Sequence, residues 1–320
     1  MQQFINTNLK IGSLTLANRL IQGPLAGFSC APFRELFYQF KAPAYTVTEM
    51  LSAHEVVHKQ PVNSRYLYRS AKEKILCYQI SGSDPLLMAE AARRLESLGA
   101  DLIDINCGCP KEKIRKKGAG SALLEKPLLL AAIIATVRQA VDIPLTIKIR
   151  IQGSDVDLEL AKIIEEAGAD ALIVHGRRWT DDYDVPSDYS QIAKIKAHLS
   201  IPIIANGDIA EEQSLQDAFS KTGCDAYMIS RAGTGKPWLY QSLLESKEFF
   251  GDVQRQLALF LQHLQGLASL ENEFKAVLQS RSLLRYYFRH QLDSTLLQDL
   301  YKLERLGDIE HRLRTVYCKE

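Results

Sequence analysis

Through its first 240 residues the chain repeats one hydrophobic pattern. A stretch with apolar positions at helical spacing closes at a glycine, and a short, nearly continuous apolar run then ends at a polar or charged residue. Runs of that kind predict strands buried on both faces and alternating with helices. Eight qualify: RLIQG (19–23), AYTV (44–47), ILCYQI (75–80), LIDIN (102–106), LTIKI (145–149), ALIVH (171–175), PIIAN (202–206) and AYMIS (226–230). Gly-Ala-Asp or Gly-Cys-Asp precedes three of them, at 99–101, 168–170 and 223–225, where a left-handed glycine ends the preceding helix. Ile143-Pro144 and Ile201-Pro202 introduce two more, with proline at a strand's start rather than its interior. Asp84-Pro85 predicts a cap and first-turn proline for a helix reaching Leu98, and Ser154 or Asp155 opens one reaching Ala167. The sum predicts an α/β chain built on a (β/α)8 TIM barrel, preceded by a short hairpin within residues 6–18.

From about residue 243 glycines thin out. LALFLQHLQGL, AVLQSRSLLRYYF and STLLQDLYKLERL carry apolar residues at helical spacing without intervening strands. This predicts a barrel over 1–242 and a small all-helical domain over 243–320. With no Gly/Ser linker between them, the two are expected to pack together.

Composition narrows the class without deciding function. The 46% hydrophobic and 24% charged residues exclude disordered and collagen-like chains. Thirty-nine basic against 38 acidic residues leave a net charge of +1, so any nucleic-acid surface must come from local charge. No run approaches the roughly 20 apolar residues of a membrane span, and MQQFINTNLKIGSL lacks the plan of a signal peptide, so the cytoplasm is expected. Six cysteines (Cys30, Cys77, Cys107, Cys109, Cys224 and Cys318) are too sparse for a disulfide framework and are expected as free thiols.

Barrel chemistry belongs at the carboxyl ends of the strands. The residues expected to leave them are Pro24-Leu25-Ala26, Thr48-Glu49, Gln79, Asn106, Lys148, His175, Asn206-Gly207-Asp208 and Ser230-Arg231. An apolar barrel has no structural need for Gln, Asn, Lys and His at four exits, and together they suit a planar, oxygen-rich ligand. Asn206-Gly207-Asp208 and Ala232–Gly235 follow the last two strands, where barrels commonly hold phosphate, and Arg231 adds a charged fork. Lys148, closing an apolar strand, is expected to face an anion. That anion is a reduced flavin's pyrimidine end or a carboxylate such as Glu49; a Schiff-base lysine is the third reading.

Cys109 lies three residues beyond Asn106, between flexible Gly108 and rigid Pro110, in DINCGCPKEKIRKKGAGSALL (104–124). A thiol with an unperturbed pKa of about 8.5 is protonated at neutral pH and able to act as a general acid. Cys107 is expected to pack. The C-x-C pair has no second pair at convincing spacing, so no metal site is expected.

These segments, with PLAGFSCAPFR (24–34), TEM (48–50), QISGSDP (79–85), IKIR (147–150), HGR (175–177), IANGDI (204–209) and SRAGTGKPW (230–238), occur in an order and register that resemble the tRNA-dihydrouridine synthases, most like the bacterial B-type subgroup. The resemblance runs through roughly the first 240 residues and more loosely beyond; N-x-G-C-P followed by G-x-A-L-L is its most specific part. It implies that Pro24, Leu25, Ala26, Gln79, Lys148, His175, Asn206, Gly207, Asp208, Ser230 and Arg231 hold flavin mononucleotide (FMN). It also implies a reaction: NADPH reduces the flavin, a uridine turned out of the tRNA receives hydride at C6, and Cys109 protonates C5. Asn106 is then placed to hold the flavin or orient the uracil. Four departures stand out: Leu25 for methionine, Ser230 for glycine, Cys107 for a larger apolar residue, and Arg178-Trp179 for Thr-Arg after HGR. Arg178-Trp179 and Cys107 border the substrate mouth.

Local charge supplies an RNA surface. Lys111, Lys113, Arg115, Lys116 and Lys117 follow the cysteine, where they could clamp phosphates. Arg281, Arg285 and Arg289 recur every four residues beside Tyr286 and Tyr287, predicting one helix face. The resemblance makes the helical domain the tRNA-recognition domain. Two rival readings are an FMN oxidoreductase of free pyrimidines and a non-catalytic RNA-binding relative. No obligate protein partner is evident, and a monomer is expected.

Overall fold

The computed structural model describes residues 1–59, 61–248, 252–289 and 291–317. Eight parallel strands close into a barrel: β1 (Leu20–Gln22), β2 (Thr46–Val47), β3 (Leu76–Ser81), β4 (Leu102–Cys107), β5 (Leu145–Arg150), β6 (Ala171–His175), β7 (Ile203–Asn206) and β8 (Ala226–Ile229). Closure is made by β8 on β1, with Met228 opposite Ile21. The predicted strands are all present within two residues at each end. The hairpin is present as Leu9–Ile11 against Leu14–Leu16, and a four-residue helix, Gln2–Ile5, precedes it unforeseen. Gly99, Gly168 and Gly223 all have positive φ (88°, 103° and 59°), as helix ends followed by strands require. The Asp84 carboxylate caps its helix through the Leu87 N–H at 2.9 Å. Asp155 takes the cap position of the next helix without a side-chain bond.

Strand alternation sorts the side chains into three apolar clusters. Ile21, Val47, Cys77, Leu102, Ile173, Ile204 and Met228 fill the foot and waist of the barrel, closed below by Leu9, Ile11 and Leu16 of the hairpin. The outward strand residues, Cys107 among them, join the covering helices in a second cluster. The third belongs to the tail helices Val253–Leu270, Glu273–Tyr287, Ser294–Lys302 and Leu306–Tyr317, and includes Cys30 and Leu36 from the barrel.

The expected boundary at residue 242 falls inside a helix, Leu239–Glu245, whose Leu239, Tyr240, Leu243 and Leu244 pack in the barrel's cluster. The packing therefore changes hands after Glu245. Tail and barrel touch closely: a Cβ on Gly235 (φ 75°), in the loop after β8, would lie 2.6 Å from the Tyr286 carbonyl carbon. Only glycine admits the tail backbone at that point. Cys30, Cys77, Cys107, Cys109 and Cys224 are free thiols, and Cys318 lies outside the described residues. Among the described residues no helix is long and apolar enough to cross a membrane.

His263 faces the tail core and shares a hydrogen bond with the Tyr287 hydroxyl at 3.2 Å. Burial pushes its pKa down to about 3, and the charge of Arg65 adds to the shift. The folded value lies below the unfolded one of about 6.5, so the unfolded chain takes up a proton first as pH falls. Stabilisation is full above that value and is lost below it. Between pH 7.5 and 5 the parent should lose about 2 kcal/mol more stability than His263→Gln. Urea unfolding at the two pH values measures this, and equal losses would show that His263 does not titrate as its burial requires.

Candidate active site

Above the apolar waist the inward positions turn polar. Asp104 of β4 is buried, opposite Gln79 of β3 and Thr146 of β5. Its carboxylate accepts from Gln79 Nε2 and Thr146 Oγ1, each at 2.7 Å. Burial raises its pKa, while those two donors and the charge of Lys148 oppose the shift. Gln79 Oε1 in turn accepts from Asn106 Nδ2 at 2.9 Å. Asn106 Oδ1 accepts the backbone N–H groups of Gly108 at 3.2 Å and Cys109 at 2.9 Å. The Cys109 carbonyl also receives Ser121 N at 3.1 Å and Ser121 Oγ at 3.0 Å. Cys109 is thus half-buried on a loop fixed from both sides, and Asn106 is the side chain that ties it to the barrel.

Lys148 Nζ donates to Asn206 Oδ1 at 2.9 Å, and Asn206 Nδ2 donates to the Met228 carbonyl at 2.9 Å. Burial lowers the Lys148 pKa, opposed by Asp104 and assisted by Arg150. Glu49 is not its partner: that carboxylate accepts from Arg65 Nε at 2.7 Å and from Gly27 N at 2.5 Å. His175 ends β6 opposite Asn206 of β7 and Arg150 of β5. Its pKa falls to about 2 through burial and then through Lys148, Arg150, Arg177 and Arg231, so the ring is neutral. Arg177 Nη1 stands 3.4 Å from its Nε2, which leaves the proton on Nδ1. The mouth thus gathers four cations, and Lys148, Gln79, Asn106 and Asn206 each retain an N–H beyond the bonds above. Such a donor set matches an anionic, carbonyl-rich ring.

A profile of the family described as Dihydrouridine synthase (Dus) matches residues 21–316. The chain belongs to the dihydrouridine synthase family. It is 37% identical over 290 residues to a Vibrio parahaemolyticus protein named tRNA-dihydrouridine synthase B, covering 88% of this chain and 89% of that one. Proteins of the same name from Shewanella oneidensis (36% over 305 residues, 92% and 94% covered) and Proteus vulgaris (42% over 238 residues, 73% of each) are similarly related. Among solved structures it resembles an old yellow enzyme homologue from Zymomonas mobilis, with TM-score 0.56 and 14% identity over 79% of this chain and 95% of that one. A 2-naphthoyl-CoA reductase complex matches with TM-score 0.58 and 16% identity over 77% of this chain, which spans about half (53%) of that protein. These likenesses show a shared barrel fold.

Gln79, Asn106 and Lys148 lie inside their strands, as in the predicted runs, and inward parity aims each side chain at the mouth. Asp208 (φ 53°) pairs with Arg177 at 2.6 Å and accepts Ser187 N at 2.8 Å, so its carboxylate orders the β6 loop. A Cβ on Gly207 would overlap Ser187 Oγ; its glycine is explained by that packing. Pro24, Leu25 and Ser230 are half-buried and Ala26 and Arg231 exposed at the rim.

In the basic segment Lys111, Lys113, Lys116 and Lys117 are exposed, but Lys116 pairs with Glu112. Arg115 is fully engaged: its Nη2 reaches Glu125 at 2.6 Å, its Nη1 reaches Ser121 Oγ at 3.0 Å, and its guanidinium lies 3.6 Å from the Trp179 ring centroid. Arg178 is exposed. Its carbonyl accepts from Arg150 at 2.8 Å and its N–H binds Asp181 at 2.7 Å. In the tail the arginine stripe is shorter than predicted. The helix ends at Tyr287, so Arg281 and Arg285 share it while Arg289 follows its cap. Tyr287 is core, whereas Tyr286 packs on Phe28 of the β1 loop. Arg281, Arg285 and Arg289 line one groove of 680 Å³ with Phe28 and Tyr286.

Sequence reasoning missed Asp104, Thr146, Arg150 and Arg177. Period-two alternation places Asp104 on the face of Asn106, and Thr146 and Arg150 on the face of Lys148, and would have found these three; Arg177 emerges only from the folded loop.

Asn106→Ala removes the acceptor for two loop N–H groups. It is expected to cost about 1–3 kcal/mol of stability and to speed alkylation of Cys109 by iodoacetamide. Unchanged unfolding and alkylation rates would mean that Ser121 alone holds the loop.

Proposed function

We propose that this chain reduces specific uridines of tRNA to 5,6-dihydrouridine, using FMN at the barrel mouth and NADPH as reductant. The observation that carries the reading is Cys109, a free and half-buried thiol, anchored through Asn106 beside a mouth rich in unused donors. The donor set fits the cofactor. Lys148, Asn206, Gln79 and His175 would hold the flavin ring, with Pro24, Leu25 and Ala26 along its edge. Ser230 and Arg231, with the loops at Gly207-Asp208 and after β8, would hold its phosphate, Asp208 through the loop that it orders. FMN bound there supplies the hydride delivered to uridine C6. Cys109 supplies the proton at C5, which completes addition of H⁻ and H⁺ across the C5=C6 bond. Solvent then reprotonates the sulfur left behind. Neutral His175 donates through Nδ1 without adding another charge to the mouth.

The tRNA would lie across barrel and tail. Lys111, Lys113, Lys116 and Lys117 beside the cysteine, Arg178 on the rim, and Arg281, Arg285 and Arg289 in the tail supply phosphate contacts. Arg115 serves the Cys109 loop instead. On this reading the barrel is the catalytic part and the helices after Glu245 recognise RNA, in a monomer working in the cytoplasm. A free-pyrimidine substrate would leave the tail groove without purpose.

Cys109→Ala is expected to retain FMN and its bleaching by NADPH while losing dihydrouridine formation on tRNA from a strain lacking the activity. Equal product yield would refute the proton-donor role; colourless protein that also fails to take up FMN would refute the flavin reading. Replacing Arg281, Arg285 and Arg289 together with alanine should weaken tRNA binding. It should also flatten the plot of log K against log salt by up to about 2–3 units. Parallel plots would place the RNA elsewhere.

A further inference from the structure

The loop between β6 and the next helix, residues 176–188, arches across the mouth and carries two exposed aromatic rings, Trp179 (36% exposed) and Tyr183 (59%). It is rigidly made. Arg177 binds the carbonyls of Val185 and, at 2.9 Å, Tyr183, together with the Asp208 carboxylate at 2.6 Å. Arg178 N is tied to Asp181 at 2.7 Å, and Asp188 N closes on the Gly176 carbonyl at 2.6 Å. Each ring is backed by a guanidinium from a different strand exit. Arg115, from the segment after β4, lies 3.6 Å from the Trp179 centroid, and Arg231, after β8, lies 3.9 Å from that of Tyr183. The Trp179 platform is three contacts from Cys109: Trp179 meets Arg115, Arg115 binds Ser121 Oγ, and Ser121 Oγ donates to the Cys109 carbonyl.

Tyr183 buries little apolar surface within this chain, and Trp179 keeps about a third of its own open to solvent. Each ring is held by a guanidinium and keeps exposed area that a flat partner would cover. Unpaired nucleobases are such partners. We propose that Trp179 and Tyr183 form a stacking site for the unpaired bases flanking the uridine that enters the mouth. The inference rests on the tRNA reading above. It gives the Arg178-Trp179 departure from the Thr-Arg pattern a role in choosing which bases are accepted. Because the loop is already ordered, stacking on it carries little conformational cost.

Trp179 and Trp238 are the two tryptophans of the chain, so Trp238→Phe leaves Trp179 as the sole reporter. Titrating that holoenzyme with tRNA should quench the remaining tryptophan fluorescence, with a midpoint equal to the Kd found by filter binding. Trp179→Ala should raise the KM for tRNA on the order of tenfold with kcat little changed, Trp179→Phe should restore most of the loss, and Tyr183→Ala should act in the same direction. If tRNA binds and is turned over without quenching, and Trp179→Ala leaves KM unchanged, the stacking site is refuted while the reaction stands. A fall in kcat with KM unchanged would also refute it, leaving Trp179 as a support for the Cys109 loop through Arg115. Absence of any tRNA binding or dihydrouridine would bring down the underlying reading as well.

Discussion

The buried carboxylate of Asp104 marks where the barrel stops being a hydrophobic core and becomes a site. Below it the inward side chains are apolar and need only volume; above it each polar group must find a partner or be costly. The partners form a chain: Asp104 holds Gln79, Gln79 holds Asn106, and Asn106 holds the backbone of Gly108 and Cys109. A thiol on an exposed loop is thereby referenced to the most rigid part of the molecule. A side chain on a loop is held in this way without being fully buried.

Charge in the mouth follows the same logic on the opposite side. Burial first, and then the charges of Lys148, Arg150, Arg177 and Arg231, keep His175 neutral, and Asp104 and Asp208 are already engaged by hydrogen bonds or an ion pair. Arg150 and Arg177 are buried but bonded to the Arg178 carbonyl and the Asp208 carboxylate, and the positive charge of the mouth favours an anionic ligand over a neutral one. Arg65 extends the network outward. It joins Glu49 beyond β2, the Gly27 carbonyl beyond β1, and Glu271 and Gln279 of the tail. Tail and mouth are consequently one mechanical unit, which a substrate contacting both would exploit.

Much of this was legible in the sequence. The glycines that end helices, the prolines that open strands and the apolar runs between them specify a barrel because backbone conformation and two-sided burial are local demands. The segment from Asn106 to Leu124 was equally informative, since its glycines and proline predict the loop that carries Cys109 beyond β4. The tail's helices were readable from spacing, but their boundary was not. Leu239–Glu245 has helical periodicity like its successors, and only packing assigns it to the barrel.

What the sequence could not determine was the pairing of charge. Arg115 reads as one of five cations available to phosphate, yet in the fold it is consumed by Glu125, Ser121 and Trp179. Lys148 and Glu49 are plausible partners on paper, yet strand order gives the lysine to Asn206 and the glutamate to Arg65. Local sequence dictates which groups exist and, by the period of two, which way they face. Which groups meet depends on the register between strands, the folding of the loops and the docking of the tail, which no local pattern encodes whether the partners are 6 positions apart, as Arg115 and Ser121 are, or 206, as Arg65 and Glu271 are.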